Sequence, residues 1–308
     1  MTVRDLLKVF DESYVQGRLK NNTIRGYRVN YNHIISFMGD VDLALLDLSD
    51  IDSFVSYLRS NSLGNTTIRY VLSVLRKALN FAVKRGYVKY NVLLNYDFPR
   101  ADRYFYEVLD EGQLEQLCMH LVGDDIFPCV LLAGFYGLRR GEILGLRICD
   151  VSKYEDKLVI SVQHSVSDVK GIREFASCKN DFSCRKILLS DFHSLLLAQY
   201  LKKRSALKKS NYLVCSTNGD FVTSNCLNYR FKKALFNLGL PDIRFHDLRH
   251  SYATMMLRSG VHPKIVSSVL GHSDVGTTLN IYSHADISMQ RACLEVVDRF
   301  TKKEKGAE

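Results

Sequence analysis

The stretch LGHSDVGTTLNIYSHAD runs from Leu270 to Asp286. It holds two histidines, His272 and His284, one tyrosine, Tyr282, and a run of small polar residues. Three readings fit these residue types: a metal site, a capped turn between two core helices, and the reactive end of an enzyme. The spacing from His272 to Tyr282 does not choose among them. The choice rests on what the rest of the chain supplies.

Upstream lies FHDLRHSYAT, Phe245 to Thr254, with His246 and His250 one helical turn apart and Asp247 between them. This approaches the zinc-protease pattern H-E-x-x-H. Asp is one methylene short of the Glu that must reach a zinc-bound water. Arg249 would set a permanent cation on the metal side, and no neighbouring residue is an obvious third ligand. A helix with satisfied core histidines remains open. So does a third reading, in which His246 and Arg249 share a helical face. A titratable ring beside a guanidinium fork suits a phosphate oxygen.

Two further segments bear on the choice. In FYGLRRGEILGL, Phe135 to Leu146, Arg139 follows a Gly-Leu turn at the start of a helix. A cation there opposes the helix dipole unless an anion is near. Glu142, one turn on, can hold the guanidinium; by itself the pair would be an ordinary surface ion pair of little worth. In CKNDFSCRKILL, Cys178 to Leu189, Lys179 stands where a strand gives way to a turn, ahead of the basic strand start Arg185-Lys186. A turn lysine is usually solvated.

In chain order the set is Arg139, Lys179, His246, Arg249, His272 and Tyr282, and here the chain resembles the tyrosine recombinases of the phage integrase family. GLRRGEILGL, the lysine of CKNDFSCRKILL, HDLRHSYAT and LGHSDVGTTLNIYSH occur in family order. The resemblance spans roughly Glu107 to the end. It implies a mainly α fold with a small antiparallel β-sheet, in two domains that clamp duplex DNA. Residues 1–93 would be a helical, SAM-like core-DNA-binding domain, 94–106 a linker, and 107–308 the catalytic domain. It also implies that Tyr282 is the nucleophile, Arg139 and Arg249 the phosphate-binding cations, Lys179 the proton donor, His246 the base or proton acceptor, and His272 a hydrogen-bond donor to the phosphate. Glu142 would buttress the cations; His250 and His284 would be structural. The family reaction needs neither metal nor ATP, so no cofactor is expected. The expected partners are double-stranded DNA and a homo-tetramer assembled on it, with room for an accessory excisionase or DNA-bending protein. The chain is Xer-like in length, and an arm-binding domain of the lambda integrase kind is not expected. HDLRHSYAT and TTLNIYSHAD favour a mobile-element or prophage integrase over a dimer resolvase. All six positions carry competent residues, which disfavours a non-catalytic DNA-binding regulator or scaffold.

The composition agrees. The 308 residues are 46% hydrophobic and 24% charged, with 16 Phe and 17 Tyr to fill cores, ample for two domains. No apolar run approaches the roughly 18 residues of a membrane span, and the acid-bearing N-terminus does not read as a signal peptide. Eight cysteines without a Cys-x-x-Cys pair fit a reducing cytoplasm; a bridge from Cys178 to Cys184 is not expected. Of the formal charge of +9, residues 1–100 contribute 14 − 9 = +5.

Those first hundred residues read as helices. SDIDSFVSYLRS is expected to open on a capping box of Ser49 and Asp52. NTTIRYVLSVLRKALNFAVKRG is expected to start at Asn65 as cap and stop at Gly86. Its stripe of Ile68, Leu72, Leu75, Leu79 and Ala82 faces a core. Arg69, Arg76, Lys77 and Lys84 lie within about 100° of one another on another face, a candidate DNA contact. Beyond the linker, an amphipathic helix is expected from Arg140 through LRRGEILGLRICDV. KLVISVQ, IREFASC and RKILLS read as the small sheet, and the chain from Phe192 reads as mostly helical.

Overall fold

The computed structural model describes residues 1–102, 107–169, 172–177, 184–207, 210–216, 218–271 and 276. The chain divides into two compact units, Met1–Phe105 and Tyr106–Glu308.

Unit one is helical: α1 (Val3–Phe10), α2 (Asn21–Met38), α3 (Leu48–Ser60) and α4 (Asn65–Lys84), with one wide helical turn at Asp11–Val15. The expected stripe of α4 is buried along its whole length, from Ile68 to Ala82, against Leu6, Phe10, Ile34 and Phe54. Burial of so many aliphatic side chains, each contributing about 1.5–3 kcal/mol, is what holds the helices together. The start of α3 differs from expectation. Asp47 takes the extended cap conformation, accepts from the amides of Ser49 and Asp50, and forms the capping box with Asp50. Ser49 already lies inside the helix, where its hydroxyl donates to Asp47. At α4 the cap position is Gly64, not Asn65. The Thr66 amide there donates to Asp102 Oδ2, 3.1 Å away, so a residue far along the chain satisfies the helix start. Gly86, with φ +74°, follows the end of α4 as expected.

Residues 95–102 have no regular structure but are strapped across α4. Arg69 donates to the Pro99 carbonyl at 2.8 Å and Arg76 to the Tyr96 carbonyl at 3.1 Å. The Arg76 guanidinium also lies 4.1 Å over the Phe98 ring.

Unit two comprises α5 (Glu111–His120), α6 (Phe127–Tyr136), α7 (Arg140–Gly145), β1 (Val151–Tyr154), β2 (Lys157–Val162), β3 (His164–Val169), β4 (Ile172–Ser177), β5 (Arg185–Leu188), α8 (Asp191–Leu207), α9 (Ser224–Asn237), α10 (Asp247–Arg258) and α11 (Pro263–Leu270). The sheet is β1-β2-β5, antiparallel, and β3 with β4 form a separate antiparallel hairpin. Of these strands, β1 and β3 go beyond the three expected from the sequence. Among the described residues no helix is long and apolar enough to cross a membrane.

Helix α6 is the centre of the unit: Phe127 to Gly134 are all buried, which a helix tolerates only when surrounded. It ends at Gly137, whose φ of +66° is left-handed. A Cβ there would stand 2.5 Å from Leu270 Cδ2 and 2.6 Å from Tyr252 Cδ1, so α10 and α11 close directly onto this cap. Gly137→Ala should therefore combine left-handed strain with overpacking, a loss of about 2–5 kcal/mol. Thermal melting would show it as a fall of roughly 2–4 °C per kcal/mol; wild-type melting would contradict this packing.

Three residues later, at Arg140, α7 begins. It was expected to continue, but it stops at Gly145. Leu146 is extended, and the chain is drawn into pairing with a distant segment: Leu213 donates to Leu146 and Ile148 to Asn211. At Gly141 a Cβ would lie 2.5 Å from the Val166 carbonyl, so α7 accepts β3 against its backbone.

Candidate active site

Three elements meet where α6, α10 and α11 converge. Arg139 sits at the N-cap of α7. Its amide donates to Glu142 Oε2 and its Nη1 to Glu142 Oε1, both at 2.8 Å, while Nη2 donates to the Gly271 carbonyl at 2.7 Å. Arg249, one turn into α10, is 3% exposed. Its Nη1 donates to the Gly137 carbonyl at 2.5 Å and its Nη2 to the Leu270 carbonyl at 2.7 Å. Two guanidiniums thus take adjacent carbonyls at the C-terminal end of α11, where the helix dipole favours cations. Gly271, at φ +66°, turns the chain there, next in sequence to His272.

The electrostatics are strained. Burial, and then the neighbouring Arg139, push the Arg249 guanidinium down to about 9; Glu142 acts the other way. Glu142 is itself buried. Burial raises its carboxyl, but hydrogen bonds and charge from Arg185, then Arg139, outweigh this and hold it below the usual range.

His246 occupies the N-cap position of α10, makes no side-chain capping bond and is exposed. The protein mass around it, then Arg249, hold its imidazole below the ordinary histidine range. It is therefore neutral near pH 7 and able to accept a proton. The His250 ring stands edge-on to it at 5.3 Å, pushed down to about 4 by burial and then by His246. Asp247 is committed to Arg244. Its carboxylate accepts from the Arg244 amide, Nε and Nη2, pinning the first turn of α10.

Arg139, Glu142, His246 and Arg249 are thus gathered at one place. Lys179, His272, Tyr282 and His284 lie outside the described residues. In unit one the four basic residues of α4 part company. Arg69 and Arg76 are half-buried under the 95–102 strap. Lys77 is exposed and donates to the Tyr27 hydroxyl at 3.0 Å, and Lys84 is exposed. One residue of the cluster escapes a sequence reading: Arg185, at the start of β5, donates to both oxygens of Glu142. Its only signal was a basic strand start.

Residues 107–289 match the Phage integrase family, and residues 5–98 match the Phage integrase SAM-like domain. The chain belongs to the phage integrase family. Its enzymes, the tyrosine recombinases, cleave and rejoin DNA through a tyrosine intermediate. Among curated relatives, the tyrosine recombinase XerC-like protein of Caldanaerobacter subterraneus subsp. tengcongensis is 24% identical, over 92% of this chain and 79% of the relative. The tyrosine recombinase XerD of Rickettsia conorii is 26% identical, over 86% and 89%. Among solved structures, the Tn1549 transposon integrase in complex with transposon right end DNA is similar with a TM-score of 0.82, at 23% identity over 97% of this chain and all of that one. A lambda integrase dimer bound to a COC′ core site gives 0.69, at 16% identity over 91% and 95%. The likeness to these structures shows the same fold, mainly helical with a small antiparallel sheet.

Proposed function

We propose that this phage integrase family member is the integrase of a mobile element or prophage, cutting and rejoining duplex DNA at specific sites. The observation that carries the reading is the pair Arg139 and Arg249, two guanidiniums fixed on adjacent carbonyls beside the sequence position of His272. A phosphodiester under attack gathers charge on its non-bridging oxygens, and two fixed cations stabilise it without a metal. The Tyr282 phenol attacks phosphorus, forming a 3′-phosphotyrosyl bond and releasing a 5′-hydroxyl. His246 accepts the phenol proton, Lys179 protonates the leaving 5′-oxygen, and His272 donates a hydrogen bond to the phosphate. The bond energy stays in the covalent intermediate, so rejoining needs no cofactor. Protomers act as a tetramer on two sites, with Lys77 and Lys84 offered to the DNA backbone and an excisionase or bending protein as accessory.

A second reading, a resolvase of chromosome or plasmid dimers, draws support from the curated relatives, Xer-type recombinases that the chain matches over most of their length. HDLRHSYAT and TTLNIYSHAD favour the mobile element. The test is covalent capture. The protein is incubated in EDTA with nicked duplexes, one set from the flanks of its own gene, another from the chromosomal dimer-resolution site. A protein–DNA adduct that survives SDS on a flank duplex is expected. An adduct on the resolution site alone would replace the mobile-element reading by the resolvase, and binding without any adduct would overturn the enzymatic reading.

A further inference from the structure

The Glu142 carboxylate accepts four hydrogen bonds, two on each oxygen. Arg139 supplies one from its amide and one from Nη1, each at 2.8 Å. Arg185 supplies the others, from Nη1 to Oε1 at 3.3 Å and from Nη2 to Oε2 at 2.9 Å. A carboxylate has about four lone-pair positions, so Glu142 is saturated and cannot turn.

The exposures are graded. The Arg139 side chain is 35% exposed, Arg185 10% and Glu142 5%. Arg139 therefore faces outward from the group, and Arg185 backs it from within. With Arg139 as its single partner, Glu142 would neutralise the guanidinium meant for an anion. Arg185 restores the balance: Arg139, Arg185 and Glu142 together carry one net positive charge, and Arg249 beside them adds another. The chain thus gains a rigid buttress for Arg139 without losing its attraction for phosphate.

We propose that Arg185 is a positioning residue for strand cleavage, acting through Glu142 to aim Arg139 at the scissile phosphate and to keep its charge uncompensated. The inference rests on the assignment of Arg139 to the phosphate. It adds a residue on β5, which touches no reacting atom and reaches the site across the fold.

The test compares Arg185→Gln and Arg185→Lys with Arg139→Ala in full-length protein. Single-turnover cleavage is followed on a nicked duplex with an ordinary phosphodiester and on one with a methylphosphonate, which carries one negative charge less, at the cleavage site. Duplex affinity and thermal melting are measured alongside. Arg185→Gln is expected to keep its affinity and to cleave the ordinary duplex on the order of 10- to 100-fold more slowly, the loss that goes with a misplaced catalytic group. On the methylphosphonate the deficit should shrink towards none, as it should for Arg139→Ala. Arg185→Lys, which keeps the charge but not the fork, should fall between. Equal losses on both duplexes would make Arg185 a scaffold residue and overturn the proposal, as would wild-type cleavage by either Arg185 variant. Normal cleavage by Arg139→Ala would instead bring down the phosphate assignment on which the proposal stands.

Discussion

In Tyr282→Phe the SDS-resistant adduct is expected to vanish while duplex binding is retained. The substitution removes one oxygen atom and leaves Arg139, Arg249 and the basic surface unchanged, so affinity for the phosphate backbone has no reason to fall. Covalent attachment has no substitute route: loss of a nucleophile costs on the order of 10⁶ in rate in well-characterised enzymes. Two described tyrosines of unit two, Tyr252 and Tyr136, make poor replacements. Tyr252 packs onto the Gly137 cap close to Arg249, but burial, then the nearby Tyr136, raise its phenol above the usual range. Tyr136 is raised by burial too, and its oxygen is already shared with the Ser190 amide and the His193 ring. A buried phenol that resists ionisation attacks phosphorus slowly. Denaturing gels of mutant and wild type on the same nicked duplex, followed by peptide mapping, decide the matter. An adduct that persists in Tyr282→Phe would remove Tyr282 from the reaction and send the search to Tyr252.

Legibility in the sequence follows how local each interaction is. The stripe of α4 could be read because helical periodicity is a property of one segment, and every residue of the stripe is buried. Arg139 and Arg249 could be singled out because each sits in a short motif, and the fold brings the two together. The misses are tertiary. Strand β1 is exposed at three of its four positions, so it carries no apolar alternation. Strand β3 is held by its pairing with β4 and by the backbone of α7 at Gly141, neither of which its sequence HSVSDV announces. Helix α7 ends where residues 146–148 pair with residues 211–213, and no local rule foresees that partner. The cap of α4 comes from Asp102, and the same strap draws Arg69 and Arg76 away from what looked like one uniform basic face. Arg185 belongs with these. A basic residue at a strand start is unremarkable until the fold sets it against Glu142.

Arg249→Met is expected to lower strand cleavage about 10³-fold while leaving the melting temperature within a few degrees of wild type. The activity side follows from losing one of two fixed cations at the developing charge; removal of a single such donor costs about 10²–10³ in rate. The stability side follows from the sign of the Arg249 shift. Its folded value, about 9, lies below the ordinary arginine value, so the unfolded chain binds the proton more tightly. The penalty for burying the charge is full below pH 9 and is relieved only as pH rises beyond that. At neutral pH the fold therefore carries this cation at a cost, lessened by its bonds to the Gly137 and Leu270 carbonyls. Methionine removes the charge penalty and fills much of the same space, against about 1–3 kcal/mol for each carbonyl left without its donor. The two effects oppose each other, so stability should move little while catalysis collapses. If instead melting and cleavage fell together, Arg249 would be a structural brace between α6 and α11. Cleavage that falls alone would mean that the chain keeps a buried charge the fold does not need, because the phosphate does.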